Sequence, residues 1–193
     1  MARKHGLTAS QVLDEAVRLI DDQGLDGLTL RALAARLGVR PPSVFAHFQG
    51  LDDIRRALAL HACAEMETQL RDALGQDSGP PAVRALAGAY RRFAHCHPGL
   101  DAALPHSGHK TDDPTLAAAQ YRVVTLVAAA ASGQRGQVDE ALIHRIRTLR
   151  SALHGFILLE KSGGFGLRAD TDKSFDYLVA TVVRGLHPNT ESP

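Results

Sequence analysis

The segment Leu28–Phe48, LTLRALAARLGVRPPSVFAHF, restricts the fold more than any other stretch of the chain. Leu30, Leu33, Ala34 and Leu37 recur at i, i+3, i+4 and i+7, so they share one face of a short helix while Arg31 and Arg36 point elsewhere. Thr29 precedes this stripe as an N-cap, its hydroxyl able to accept from an N–H of the first turn. Gly38 follows the last apolar position, where positive φ closes a helix at little steric cost, and the helix is expected to stop at Leu37. Val39 anchors the turn. Pro42 suits the first turn of a second helix because the N–H it lacks would have no partner there, and Pro41 is held extended by the proline after it. Val44 and Phe48, four apart, supply a buried side opposite Ser43, Ala46 and His47. Two short helices joined by a glycine-containing turn form a helix-turn-helix pattern, whose second helix enters the DNA major groove.

Extended to GLDGLTLRALAARLGVRPPSVFAHFQGLDDI, the run resembles the DNA-binding region of the tetracycline-repressor (TetR) family. There a capped helix beginning Thr-apolar-Arg leads through Ala and Gly-Val into Pro, a small hydroxyl residue, an aromatic, and His-Phe. The resemblance implies an all-α protein of about nine helices, with an N-terminal helix-turn-helix domain and a C-terminal helical regulatory and dimerisation domain. Two positions depart from the pattern: the family commonly has Tyr where this chain has Phe45 and Lys where it has Leu51, and both usually touch phosphates. The departures bear on DNA affinity and not on fold.

On the second helix, Arg40 can pair with a guanine edge or a phosphate, Ser43 can bond several bases, and Phe45 offers apolar contact to a thymine methyl. His47 is expected against phosphate or the next helix. Thr29 can offer its hydroxyl and neighbouring N–H groups to a phosphate while it caps. The expected DNA-contact set is Thr29, Arg31, Arg40, Pro41, Ser43, Val44, Phe45 and His47.

At 193 residues, 45% of them apolar, the chain can bury one core or two small ones. No stretch approaches the roughly 18 consecutive apolar residues of a membrane span, and Met1–His5 leads into no signal-peptide core, so a cytoplasmic protein with no membrane partner is expected. Cys63 and Cys96 lie far apart without metal-like spacing and read as reduced, packed side chains. The net charge of +1 argues against a protein that coats nucleic acid indiscriminately. Between Gly27 and Gly50, however, Arg31, Arg36 and Arg40 occur with no acid, and Arg3, Lys4, Arg55 and Arg56 could extend a basic face.

In chain order, Met1–Leu7 reads as an arm, and Thr8 with Gln11 has capping-box spacing for a first helix through Leu13, Ala16, Val17 and Ile20 to Gly24. Its Asp14, Glu15, Asp21 and Asp22 would be repelled by phosphate and should face away from DNA. Asp52 and Asp53 open a long connecting helix that runs toward Leu70 and Leu74. Gln76–Pro81 is the linker candidate. A helix through Val83, Leu86, Ala87, Tyr90 and Phe93 follows, then a short element to Leu104 and a turn-rich Pro105–Pro114. Asp113 caps an alanine- and valine-rich helix, Leu116–Ala131. The last two helices carry seams at nearly 3.5-residue spacing: Leu142, Ile146, Leu149, Leu153, Phe156 and Ile157, then Phe175, Leu178, Val179, Val182 and Leu186. These divisions give a DNA-binding domain at 1–50, a connecting helix at 51–75 and a ligand-binding and dimerisation domain at 76–193.

RRFAHCHPGL, SALHGFILLEKSGGF and FDYLVATVVRGL are similar to TetR-type regulatory domains with a Trp-His-Gly signature, Leu153 standing for the Trp before His154 and Gly155. This resemblance implies an effector pocket among the middle helices and a dimer interface on the last two. The expected ligand-binding set is Phe93, His97, Leu100, Tyr121, Thr125, His154 and Phe156. The expected dimer set is Leu142, Ile146, Leu149, Leu153, Phe175, Leu178, Val179, Val182 and Leu186.

His95, Cys96 and His97 are consecutive, and helix neighbours point about 100° apart, so a metal would need His106, His109 or His154 brought in by folding. No metal or cofactor is expected. Neither cysteine has a His at i+3 or i+4, and neither a phosphate-cradling glycine motif nor Gly-x-Ser-x-Gly occurs, so an enzyme is not expected. The function expected is a homodimeric transcription regulator, a repressor released from a near-palindromic double-stranded DNA operator by an unidentified small-molecule effector. The rival is a helical small-molecule or metal-binding dimer with a weakened DNA-binding half.

Overall fold

The computed structural model describes residues 6–104, 112–132 and 139–187. Arg3, Lys4, His106, His109 and most of the turn-rich Pro105–Pro114 lie outside the described residues. Among those described there are nine α-helices and no strand. They run α1 Ala9–Gln23, α2 Leu30–Arg36, α3 Pro41–Phe45, α4 Leu51–Leu74, α5 Gly79–Cys96, α6 Pro98–Ala103, α7 Pro114–Ser132, α8 Glu140–Lys161 and α9 Thr171–Leu186, with a 3-10 turn at Leu25–Gly27. The all-helical fold is as expected. None of these helices is long and apolar enough to cross a membrane.

Local chemistry sets most of the boundaries. Thr8 accepts from Gln11 N while the Gln11 side chain accepts from Thr8 N at 2.9 Å, the reciprocal bonds of a capping box. Asp139 and Asp170 cap α8 and α9, and Asp113 accepts from the N–H groups of Thr115 and Leu116 at the start of α7. Gly24 and Gly38, at φ 73° and 66°, make the exits after α1 and α2 that a side chain would strain. One boundary differs from the expectation. The helix after the turn begins at Pro41, and the extended residue is Arg40 at ψ 147°. The steric restriction before proline falls on Arg40, whereas the fixed φ of Pro41 already fits a first helical position.

The chain packs as two compact units, Met1–Glu65 with Cys96–Gln120, and Met66–His95 with Tyr121–Pro193. In the first, Val12, Ala16, Leu19 and Ile20 of α1 are buried together with Leu33, Ala34, Val44, Phe48, Ile54, Leu58 and Leu100. Here α6 is seated directly on α1. A Cβ on Gly99 would lie 2.6 Å from both Asp21 N and Ile20 Cγ1, and closer still to the Ile20 carbonyl carbon. That approach lets Gly99 N donate to Asp21 Oδ1 at 2.8 Å. Arg56 of α4 forms a two-pronged ion pair with the same Asp113 that caps α7.

In the second unit, Ala128 and Ala131 of α7 pack against Leu142 and Ile146 of α8, the close approach that small side chains permit. α8 and α9 pack on each other. Arg91 of α5 binds Glu160 of α8 through two nitrogens and Asp172 of α9 at 2.8 Å, with its guanidinium 4.6 Å from the Phe175 ring centroid. The Phe156 ring lies between those of Phe165 and Phe175, at 4.8 and 5.3 Å. Arg91 holds the Glu160 carboxyl below its ordinary 4.5 against the opposing effect of burial, with His95 at 2.8 Å assisting.

The seams of α8 and α9 are packed within the chain. Leu142, Leu149, Leu153, Phe175, Val179, Val182 and Leu186 are buried within the single chain, and Ile146 and Leu178 are half-buried. Periodicity located an apolar seam, but its partner is this chain's own packing. The large apolar side chains left outside are Ile143, Leu158, Leu159 and Tyr177, the last two helices' exposed residues, with Tyr177 at 74%.

Candidate nucleic-acid interface

The helix-turn-helix is built from α2 and α3. Thr29 caps α2 by accepting from Ala32 N at 3.1 Å, and Val39 N bonds back to Ala34 O at 3.0 Å to close the turn. Burial of Leu33, Ala34, Val44 and Phe48 fixes which side of each helix faces the core. The opposite side presents Thr29, Arg31, Arg40, Pro41, Ser43, Phe45 and His47, all exposed. Val44 is at 0% exposure, so its side chain supports α3 from beneath.

The charges of this unit are sorted by their partners. Arg36 donates from Nε to Glu15 Oε1 at 2.6 Å and from Nη1 to Asp22 Oδ2 at 2.7 Å. Glu15 also binds Arg18 at 3.0 Å. Burial pushes the Glu15 carboxyl up, but the hydrogen bonds from Arg36 and Arg18 outweigh it and hold the group below 4.5. The acids of α1 are therefore fasteners as well as a solvated face: Glu15 and Asp22 tie α2 to α1, and Asp21 receives the Gly99 N–H. Arg55 pairs with Asp52, and Arg56 with Asp113. Among the described residues of the helix-turn-helix, Arg31 and Arg40 are the arginines without an ion-pair partner. The basic face is smaller than a count of arginines suggests.

The residues expected around an effector are spread over both units. Leu100 is buried in the first unit, where His97 Nδ1 lies 4.0 Å from Asp21 Oδ2. In the second, Phe93 is buried, Phe156 is packed among aromatic rings, and His154 Nδ1 shares a hydrogen bond of 3.0 Å with the Tyr90 hydroxyl. Tyr121 and Thr125 are exposed, and the Thr125 hydroxyl donates to Arg122 O. Sequence reasoning took Tyr90 as one more apolar repeat of α5. Its polar partner is 64 residues away, beyond the reach of any local pattern. Among the described residues no group of three His, Cys, Asp or Glu could hold a metal ion. Cys63 is buried and Cys96 exposed.

Comparison with known proteins agrees with this architecture. A model of bacterial regulatory proteins of the tetR family matches residues 12–58, and a model of the tetracyclin repressor-like C-terminal domain matches residues 83–182. The chain is similar to the HTH-type transcriptional regulator YobS of Bacillus subtilis, 32% identical over 193 residues, 100% of this chain and 99% of that protein. It is also similar to an HTH-type transcriptional regulator of Mycobacterium tuberculosis, 34% identical over 190 residues, 98% of this chain and 86% of that protein. Among solved structures, a protein of unknown function from Rhodococcus sp. RHA1 superposes with a TM-score of 0.78 at 25% identity, covering 96% of this chain and 98% of the other. A TetR variant from Acinetobacter baumannii AYE in complex with minocycline shares the fold, with a TM-score of 0.66 at 21% identity and coverage of 96% and 99%. With an exposed helix-turn-helix, helices and no strand among the described residues, and relatives matched over nearly their whole length, the chain belongs to the tetracycline-repressor family of DNA-binding transcriptional regulators.

Proposed function

We propose that the protein is a homodimeric repressor that holds a near-palindromic operator until a small-molecule effector releases it. The observation that carries this reading is the outward side of the helix-turn-helix, where Arg31 and Arg40 are kept out of the internal ion pairs that engage Arg36, Arg55 and Arg56. Thr29, Arg31, Arg40, Pro41, Ser43, Phe45 and His47 are its contact residues, with Thr29 and His47 directed to phosphate and α3 to the base edges. Two such helices on a twofold axis must sit roughly 34 Å apart to enter successive major grooves.

For the twofold contact, the exposed apolar residues Leu158, Leu159 and Tyr177 of α8 and α9 take the place of the buried seam. A regulatory domain of the Trp-His-Gly type, its Trp replaced by Leu153, accounts for the polar pair Tyr90–His154 between α5 and α8. That pair supplies a directional hydrogen-bonding group between the two helices, as a small-molecule site requires. The effector acts by favouring the form whose spacing does not fit DNA, within the limit of its differential affinity for the two forms. The division into residues 1–50, 51–75 and 76–193 follows these roles.

The test is in vitro selection from a random duplex library with the full chain, followed by a salt titration of the enriched site. Repressor function requires an inverted repeat and an affinity that falls linearly on log axes with salt. Equal, negligible affinity for enriched and random duplex would refute it and leave the rival, a small-molecule-binding helical dimer.

A further inference from the structure

We propose that Phe45 is a specificity residue that seats the 5-methyl group of a thymine in the operator; the inference rests on α3 being the recognition helix. Val44 and Phe48 turn inward, so the remaining positions of α3 and its exit define the outward side. On it Pro41 and Phe45 are four apart, Pro42 and Phe45 three apart, and Pro42 and Ala46 four apart, and all four are exposed. Residues at these spacings are neighbours on a helix surface. They form one apolar patch, flanked by Arg40, Ser43 and His47.

Phe45 stands at its centre with 49% of its surface open to solvent. A phenyl ring has no hydrogen-bond donor or acceptor, so it can bind neither a phosphate oxygen nor a polar base edge. The two prolines likewise offer no N–H at the start of the helix. Within the major groove, the apolar group displayed by the bases is the C5-methyl of thymine. A recognition surface that is apolar at its centre therefore selects for methyl groups, with polar readout left to Arg40 and Ser43 beside it. The same 5-methyl group occurs on 5-methylcytosine. Thymine is the assignment made here, because it needs no modification of the DNA.

The experiment uses the full chain and the duplex enriched from the random library, remade with deoxyuridine in place of each thymine in turn and measured by fluorescence anisotropy at constant salt. Losing one buried methyl should weaken binding about three- to fivefold at one thymine or more in each half-site. Phe45→Ala, checked as folded by its helical circular dichroism at the assay temperature, should bind the thymine and uracil duplexes equally. Three results overturn the assignment: every deoxyuridine duplex within about twofold of its parent, a thymine preference that survives Phe45→Ala, or dependence on CpG methylation in place of thymine. Each of these leaves operator binding intact. Failure to enrich any sequence would instead overturn operator recognition itself and, with it, this role for Phe45.

Discussion

Replacing Gly99 with alanine tests how closely α6 is seated on α1. The added methyl would meet Asp21 N and Ile20 Cγ1 at 2.6 Å, and the backbone of α1 cannot swing aside as a flexible side chain would. Forcing a methyl into such a contact costs about 1–3 kcal/mol. If α6 retreats to relieve the clash, the Gly99 N–H loses the Asp21 carboxylate, and hydrogen bonds to charged groups contribute about 1.5–3 kcal/mol. The two routes are alternatives, so the cheaper one sets the loss, which we expect at about 1.5–3 kcal/mol and not their sum. For a chain of this length that lowers Tm by roughly 3–12 °C. The assay is urea denaturation with the m-value held constant between variants. Asp21→Ala should lose that hydrogen bond together with the Asp21–His97 contact, without any clash, and the double variant should fall short of additivity because both changes act on one contact. Gly155→Ala is the control: nothing lies within 4 Å of its Cβ position, and a helix-interior glycine replaced by alanine gains about 0.5–1 kcal/mol. A Gly99→Ala protein within about 0.5 kcal/mol of wild type would refute the argument, since that is the range of an unconstrained surface substitution.

Arg40→Ala should weaken the enriched operator about tenfold or more and relax the base preference at one position per half-site; a uniform loss across sequences with a shallower salt slope would make Arg40 a phosphate contact instead. Glu160, held below its ordinary 4.5 by Arg91, contributes stability that is fully present above that value and is lost as pH falls through the lowered folded-state pKa. The urea midpoint should therefore drop as pH is lowered from about 5, and Glu160→Gln should be less stable at neutral pH with a flatter acid limb; parallel profiles would exclude this pair as the cause. Tyr177→Asp with Leu158→Asp places charge on two exposed apolar positions and should shift the chain to a monomer in sedimentation velocity, while Leu149→Ala should unfold it partially without that selective shift.

Features encoded within a few residues were legible in the sequence. Thr8 with Gln11, Thr29 and Asp113 each mark a helix start because the bond that makes them caps reaches only two or three residues along. The helix-turn-helix was legible for the same reason. Arg36 was not, because its partners lie 14 and 21 residues earlier, and a basic residue reads alike whether it faces phosphate or a carboxylate of its own chain. The periodicity of α8 and α9 marks positions that are buried in the single chain, and burial within a chain and burial between chains leave the same 3.5-residue signature. Val44 carried both expectations at once, and its complete burial decides for support. Tyr90 was passed over because a tyrosine in an apolar stripe shows its hydroxyl's purpose only when the facing helix supplies His154.

The carboxylate clasp on Arg36 also bears on how such a regulator searches a chromosome. Non-specific residence on DNA grows with the number of condensed counterions a protein displaces. With Arg36 paired to Glu15 and Asp22, and Arg31 and Arg40 facing out, the chain should shed few ions from random sequence and dwell there briefly, which a shallow salt slope on random duplex would check. Copies are then kept off the vast excess of decoy sites, so occupancy of the operator depends on the ratio between correct and incorrect sequences more than on raw attraction to DNA.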